Sequence, residues 1–267
     1  MLKNLKNLVA GMALAVTPVI ASDAAAQNFS YTEFQLHYGD GFKEPGIVLS
    51  PESKRTVITL EHLSLRPWGD FFFFVDNNRN HDLKGTGYRQ SDQYGEIYAH
   101  ASTKNWGANY GGGFLRDILL GGGVNQGTDF TALLLGPKFS FNMPGFRAFT
   151  FALYAYDQVV DPVNRNVDTG YQATIVWDAP FELGSQKFLF KGFMDYISER
   201  DFSGPFSGKL ADQVIFSPQL RWDIGYAMGG KSDKNWLGLE YNYFKNKFGN
   251  TQGTNENSLT LFYATRF

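Results

Sequence analysis

The chain has 267 residues, of which 16% are aromatic and 19% charged, with 29 glycines and no cysteine. This length suits one large all-β domain or two small ones, and the absence of cysteine excludes a disulfide framework and a thiolate metal site. The formal net charge of −2 comes with scattered basic residues, so we expect no nucleic-acid partner.

Residues 1–26 have the pattern of a secretory signal peptide. Two lysines open the segment, Leu8 to Ile20 are mostly apolar, and Ala24 to Ala26 supply small residues before a cleavage site. The apolar stretch is shorter than the roughly 20 residues of a membrane-crossing helix, which argues against an N-terminal anchor. We predict cleavage before Gln27, with cleavage after Ala21 as the alternative, and a mature domain over residues 27–267.

No later stretch of 18 uncharged apolar residues occurs, so only a closed β-barrel could carry the mature chain across a membrane. Segments with the two-residue alternation of strands recur along the chain. Twelve are predicted, at 29–38, 55–65, 70–77, 92–102, 114–122, 130–142, 149–156, 171–178, 186–198, 213–224, 236–247 and 256–267. The faces of 114–122 and 186–198 are left open. An even number predicts an antiparallel up-and-down transmembrane barrel with both termini on the periplasmic side.

The segments between the predicted strands agree with this orientation. Short, turn-rich links at 66–69, 142–145 and 182–185 are expected on the periplasmic side. Longer outward loops are expected at 39–54, 78–91 and 199–211. Two periplasmic links, 103–113 and 225–235, are longer than the pattern prefers.

The last predicted strand is the most regular. Leu259, Leu261, Tyr263 and Phe267 share one face, and the other face is mainly polar. This ending resembles the signal by which bacterial outer-membrane barrels are recognised, so we expect the barrel-insertion machinery as a partner. An edge strand of a soluble sandwich is the alternative here. A soluble lipocalin-like barrel has the same period with opposite polarity. The signal peptide and the aromatic strand ends favour the outer membrane of a Gram-negative cell, with lipid and lipopolysaccharide around the wall.

Several runs resemble the nucleoside-specific channel-forming (Tsx-like) outer-membrane family. They are 34–39, 60–62, 68–76 with its four consecutive phenylalanines, 94–98 around Glu96, and 246–249 after the strand at 238–241. The resemblance covers residues 29–267 except the glycine-rich stretch 107–127, which does not align. It implies a monomeric barrel of twelve strands that passes nucleosides through a narrow channel.

Strand 70–77 gives the most specific site prediction. If Asp70 and Asp76 face the lumen, the alternation of strand residues also turns Phe72 and Phe74 inward. Aromatic faces can stack on a nucleobase, which is worth about 1–3 kcal/mol per base in nucleic-acid binders. The alternative is that both rings only pack the wall of a narrow barrel.

Further lumen residues follow from the same alternation. Polar or aromatic side chains on other strands would line the pore. They would either contact the solute or form a charge ladder that keeps the wall hydrated. In such a ladder, glutamates and arginines of neighbouring strands would pair. They are Glu61, Glu96, Tyr98, Arg221, Glu240 and Asn242.

Other functions are less well supported. No Gly-x-Ser-x-Gly motif occurs, the four histidines lack zinc-site spacing, and we expect no cofactor, no metal and no enzymatic activity. A lipid-hydrolysing barrel would have to use His62 with Glu61 and Ser64, although adjacent strand residues point to opposite faces. The open alternatives are a porin for other small solutes and a surface receptor for phages or colicins.

Overall fold

The computed structural model describes residues 16–18, 28–44, 52–84 and 89–267. These residues form sixteen strands, one short helix (α1, Ile224–Ala227) and two single-turn 3₁₀ helices, Thr103–Trp106 and Lys247–Gly249. The strands are β1 Val16–Pro18, β2 Phe29–Phe42, β3 Ser53–Arg66, β4 Gly69–Asn80, β5 Ser91–Ser102, β6 Leu115–Gly127, β7 Phe130–Phe141, β8 Ala148–Val160, β9 Asn166–Val167, β10 Gly170–Leu183, β11 Gln186–Ile197, β12 Arg200–Ser203, β13 Gly208–Leu210, β14 Gln213–Asp223, β15 Asn235–Lys245 and β16 Glu256–Arg266.

Twelve of these strands close into one antiparallel barrel, which confirms the predicted fold. Strands β2 to β8 are neighbours in chain order, and β10, β11, β14, β15 and β16 continue the sheet in that order. The barrel closes where β8 pairs with β10 and where β16 pairs with β2. The short strands β9, β12 and β13 form a separate three-stranded sheet. They belong to the connections that follow β8 and β11 in the chain. The sequence did not predict this sheet.

The connections between barrel strands lie at two rims. The rim where β2 begins and β16 ends, here the terminal rim, has connections at 67–68, 103–114, 142–147, 184–185 and 224–234. The opposite rim, here the loop rim, has connections at 43–52, 81–90, 128–129, 161–169, 198–212 and 246–255. The links predicted for the periplasmic side thus share the terminal rim, and the loops predicted for the outer side share the loop rim.

The barrel is apolar outside and polar inside, the reverse of a soluble protein. Leucine, isoleucine and aromatic side chains are exposed around the outer wall, including Leu36, Leu60, Ile97, Leu135, Leu220, Leu239, Leu261 and Tyr263. Charged and amide side chains are buried on the inner face, including Glu33, Gln35, His37, Glu61, Gln172, Arg221 and Arg266. This polarity is that of a barrel whose wall faces lipid.

Strand β6 is longer than predicted, since it runs to Gly127 rather than to residue 122. Three consecutive glycines, Gly121 to Gly123, hid its continuation, because glycine shows neither an apolar nor a polar face. Gly123 faces the lumen beside Tyr98, and a Cβ at this position would lie 2.4 Å from the Tyr98 ring. The glycine therefore leaves room for that ring to lie along the wall.

Replacing Gly123 with valine should displace the Tyr98 ring and destabilise the barrel by about 1–3 kcal/mol, the usual cost of overpacking. Urea unfolding in detergent micelles measures the change. Gly127 on the same face has its nearest contact at 3.5 Å, so Gly127→Ala serves as the control. If Gly123→Val and Gly127→Ala are equally stable, contact with the Tyr98 ring does not limit the side chain at residue 123.

The predicted signal peptide falls mainly outside the described residues. Within it, only Val16–Pro18 is described, and it pairs with residues 181–183 of β10. Among the described residues, no helix is long and apolar enough to cross a membrane.

Candidate functional site

An aromatic wall lines one side of the lumen. The rings of Phe72 and Phe74 lie 6.1 Å apart, and Phe74 lies 5.9 Å from Tyr94 on the neighbouring strand β5. Tyr98 of β5 lies 5.8 Å from Tyr154 of β8. The two tyrosines meet across β6 and β7, where Gly121, Gly123 and Gly136 place no side chain between them. The predicted inward direction of both phenylalanines is the observed one.

The other two phenylalanines of this run point outward. Phe71 and Phe73 contact His62 on the outer wall, with ring centroids 6.1 Å and 5.5 Å from it. The four consecutive phenylalanines of β4 therefore serve two surfaces. Two line the lumen and two contribute to the apolar outer wall.

Three lumen carboxylates have hydroxyl partners and no ion pair among the described residues. Thr59 donates to Asp76 at 2.6 Å, Tyr94 donates to Glu96 at 2.6 Å, and Thr174 donates to Asp195 at 2.5 Å. Asp76 and Glu96 lie on β4 and β5, beside the aromatic rings. The aromatic wall therefore carries acceptor groups that no lysine or arginine neutralises directly.

Asp70 has a different environment from Asp76. Its carboxylate lies 2.7 Å from His100 Nδ1 and accepts a bond of 2.9 Å from Lys138 Nζ. The other ring nitrogen of His100 lies 2.8 Å from the Tyr154 hydroxyl. Asp70 is buried. It therefore holds the aromatic wall in place and is not exposed to a solute.

A buried charge cluster lies in the lumen beside β2 and β3, and its Glu61 is the register partner of Phe74 on β4. Glu33 accepts from Arg221 at 2.7 Å and from Arg266 at 2.6 Å. Glu61 accepts from Lys191 at 2.7 Å and from the Tyr31 hydroxyl at 2.5 Å. The sequence predicted ladders between neighbouring strands, but Arg221 on β14 reaches Glu33 on β2 past two intervening strands, β15 and β16. This pairing is possible because both side chains point into the lumen.

Two predicted residues on β15 stay half-buried. Glu240 accepts a hydrogen bond from Gln219 of β14. Asn242 faces the same way, and its buried Oδ1 has no hydrogen-bond partner among the described residues. These groups lie on the lumen side apart from the aromatic wall.

The predicted residues thus divide into three groups. Phe72, Phe74, Asp76, Glu96 and Tyr98 come together on β4 and β5. Asp70, Glu61 and Arg221 are enclosed by ion pairs, and Glu240 and Asn242 lie on β15.

Sequence reasoning missed several lumen groups. Tyr154 and Tyr156 of β8 belong to the buried lumen cluster, but no motif marked them as site residues. Lys191 and Asp195 lie on β11, whose register could not be fixed from the sequence, and their partners Glu61 and Thr174 lie on other strands.

The loop rim is fixed by a hydrogen-bonded turn. The Asp161 carboxylate accepts from the Arg165 side chain at 2.7 Å and from the amides of Val163 and Arg165. Burial alone would raise the pKa of Asp161, but these hydrogen bonds and the Arg165 charge hold it below its usual value. Arg200 lies beside this turn, with its guanidinium 4.7 Å above the Tyr156 ring. The hydrogen bonds of this turn therefore persist at neutral pH. The turn lies next to the loop-rim end of the aromatic wall.

The trio Glu61, His62 and Ser64 is not assembled. His62 and Ser64 share the outer face, with Nε2 and Oγ 2.8 Å apart, whereas Glu61 points into the lumen. His62 Nδ1 lies 2.9 Å from the Thr32 hydroxyl, and Ser64 also contacts Ser30. These groups satisfy one another on the outer wall, and in the part of the chain that the structure describes no carboxylate hydrogen-bonds the imidazole.

No family model matches the chain, and no curated protein does either. Solved structures that resemble it are porins and channels. The KdgM porin has 11% identity and a TM-score of 0.45 over 90% of this chain and 99% of that one. The NanC porin has 10% identity and a TM-score of 0.47 over 88% and 100%. The COG4313 outer membrane channel from Pseudomonas putida F1 has 13% identity and a TM-score of 0.48 over 93% and 100%. Identities of this size give no information about substrate or function.

Proposed function

We propose that this barrel spans the outer membrane and is a passive channel for small uncharged solutes, with nucleosides as its cargo. The observation that carries the proposal is the reversed polarity of the barrel together with its aromatic wall. Outward leucine and aromatic side chains suit lipid, and the inner face supplies a wetted path. The proposed barrel is a monomer, surrounded by lipid and lipopolysaccharide and inserted through its last strand.

The aromatic wall fits the chemistry of a nucleoside. A nucleobase has an apolar face that can stack on Phe72, Phe74 or a neighbouring tyrosine. Ribose hydroxyls can donate to carboxylates, and Asp76 and Glu96 lie on the same two strands. Several weak sites in sequence suit conduction better than one tight site. The sequence resemblance to nucleoside channels supports the same cargo.

A porin for other small solutes is the second candidate. The same carboxylates and tyrosine hydroxyls would also bind sugar hydroxyls, and nothing in their arrangement requires a base. The two candidates differ in the role of the rings, since a base gains stacking energy that a solute without an aromatic ring lacks.

Planar bilayers containing the purified protein should show small-conductance openings that adenosine reduces in a saturable way. Ribose at the same concentrations should block less, because it lacks the base. Liposome swelling with nucleosides, sugars and amino acids ranks the solutes that pass. Openings that millimolar adenosine leaves unchanged would reject nucleosides and leave a channel for other solutes. A mature protein that stays soluble without detergent would reject the membrane assignment.

Replacing Phe74 with alanine should weaken the adenosine block about tenfold, which corresponds to ~1.4 kcal/mol of lost stacking. The concentration of adenosine that halves the current measures the effect. Phe73→Ala is the matched control, because Phe73 lies next in the chain but faces the outer wall. An equal block in the parent and in Phe74→Ala would show that the ring is only packing.

A further inference from the structure

A lysine on one wall of the barrel reaches a glutamate on the opposite wall. Lys191 Nζ of β11 lies 2.7 Å from Glu61 Oε1 of β3. Going round the barrel, β14, β15, β16 and β2 separate these strands on one side, and β4 to β8 with β10 separate them on the other. The pair, here the lumen bridge, therefore crosses the interior and divides it into a four-strand side and a six-strand side.

The lumen bridge is held in a fixed position. The Tyr31 hydroxyl donates to the same Glu61 oxygen at 2.5 Å, and Lys191 Nζ lies 3.4 Å from that hydroxyl. The guanidinium of Arg266 lies 4.1 Å above the Tyr31 ring. Both partners of the bridge are largely buried, so their attraction is weakly screened by salt.

The four-strand side is filled beside the bridge. The side chains of Glu33 and Arg221 are fully buried, with 0% of either exposed. Phe262 and Trp236 pack there with 1% and 2% of their surface exposed. The Arg221 guanidinium lies 5.1 Å above the Phe262 ring. These side chains are closed to water, so they leave no passage for a hydrated solute at the level of Glu33 and Arg221.

The six-strand side contains the accessible lumen residues next to the bridge. Val176 of β10 points inward, in register with Phe193 of β11, and 38% of its surface is exposed. Phe74 on β4 and Glu96 on β5 also point inward and are half-buried. Tyr98 and Tyr154 of the aromatic wall are buried in a cluster with Leu134 and Tyr156, so the accessible part of this side lies at Phe74, Glu96 and Val176.

We infer that the lumen bridge sets the width of the channel and so the size of solute that passes. It forms the boundary between the packed residues of the four-strand side and the accessible residues of the six-strand side, and it keeps solutes against Phe74 and Glu96. This inference rests on the proposed channel function. Glu61 on this account holds the bridge, whereas Phe74 and its neighbours contact the solute.

The test uses two variants in planar bilayers and in liposome swelling. Lys191→Ala removes the side chain that crosses the lumen, and Glu61→Gln/Lys191→Ala removes it without leaving a buried unpaired charge. Single-channel conductance should rise about twofold or more in both, since conductance depends on the width of the narrowest segment. Swelling should also extend to oligosaccharides that the parent excludes.

Lys245→Ala is the matched control. It breaks an ion pair of similar length with Asp212, 3.0 Å, but Lys245 lies at the loop-rim end of β15 and points away from the lumen, on the face opposite to Glu240 and Asn242. Its conductance should equal that of the parent. If the single variant at residue 191 does not fold, the double variant decides.

The measurements separate the lumen bridge, the channel function and the nucleoside cargo. A parent channel whose conductance and size limit are unchanged in the double variant would overturn the inference and leave the channel standing. A parent that forms no channel would overturn both. A channel that widens but ignores adenosine would support the bridge and reject the nucleoside cargo.

Discussion

Replacing Glu33 with leucine should lower the free energy of unfolding by about 3–5 kcal/mol, the usual cost of leaving buried charges without a partner. Glu33 is the shared carboxylate of two buried guanidiniums, those of Arg221 and Arg266. Leucine fills much of the same volume but accepts no hydrogen bond. Unfolding by urea, followed by the fluorescence of the five tryptophans, measures the loss.

The control for this variant is Glu240→Gln. Glu240 is also an inward carboxylate, but it is half-buried and bonds an amide rather than a cation. We expect its change to stay below about 1 kcal/mol, because no charge loses a partner. If both variants lose the same stability, the cluster around Glu33 contributes no more than an ordinary lumen hydrogen bond.

Replacing Ile175 with arginine should cost about 2–4 kcal/mol in a lipid bilayer, the range for a cation on the lipid face of a barrel near its midplane. Ile175 lies mid-strand in β10, in register with Phe151 and Met194 of the two neighbouring strands. Its side chain belongs to the outer wall. Folding into vesicles at increasing urea concentrations measures the cost.

Val176→Arg is the matched control, because the next residue of the same strand faces the wetted lumen. We expect it to fold with nearly the stability of the parent and to reduce conductance by narrowing the open side. A soluble barrel would tolerate an outward arginine at 175. Equal stabilities of the two variants in vesicles would therefore reject the membrane assignment.

The strands could be predicted because a two-sided wall imposes alternation on every segment. The inward direction of Phe72 and Phe74 followed from Asp70 and Asp76, since polar and apolar residues sort between water and lipid. The pattern failed at Gly121 to Gly123, where glycine belongs to neither class.

The partners across the lumen could not be predicted. Alternation tells which way a side chain points, but which inward groups meet depends on strand tilt and register around the whole barrel. Lys191 and Glu61 are 130 residues apart in the chain, and no local motif links them. The division of the lumen into a packed and an open side could not be predicted for the same reason. The small sheet of β9, β12 and β13 was missed because its strands have only two to four residues.

The seam between β2 and β16 has a consequence for how the chain folds. Its pairs join residues from opposite ends of the barrel sequence, and the Arg266 to Glu33 bond spans 233 positions. The entropy of closing so long a loop must be overcome before this seam gains any stability, so we expect closure to be the slow step. Until β16 arrives, β2 has an unpaired edge that another chain could occupy. The lifetime of that edge, more than the stability of the finished barrel, would then decide how much protein is lost to aggregation.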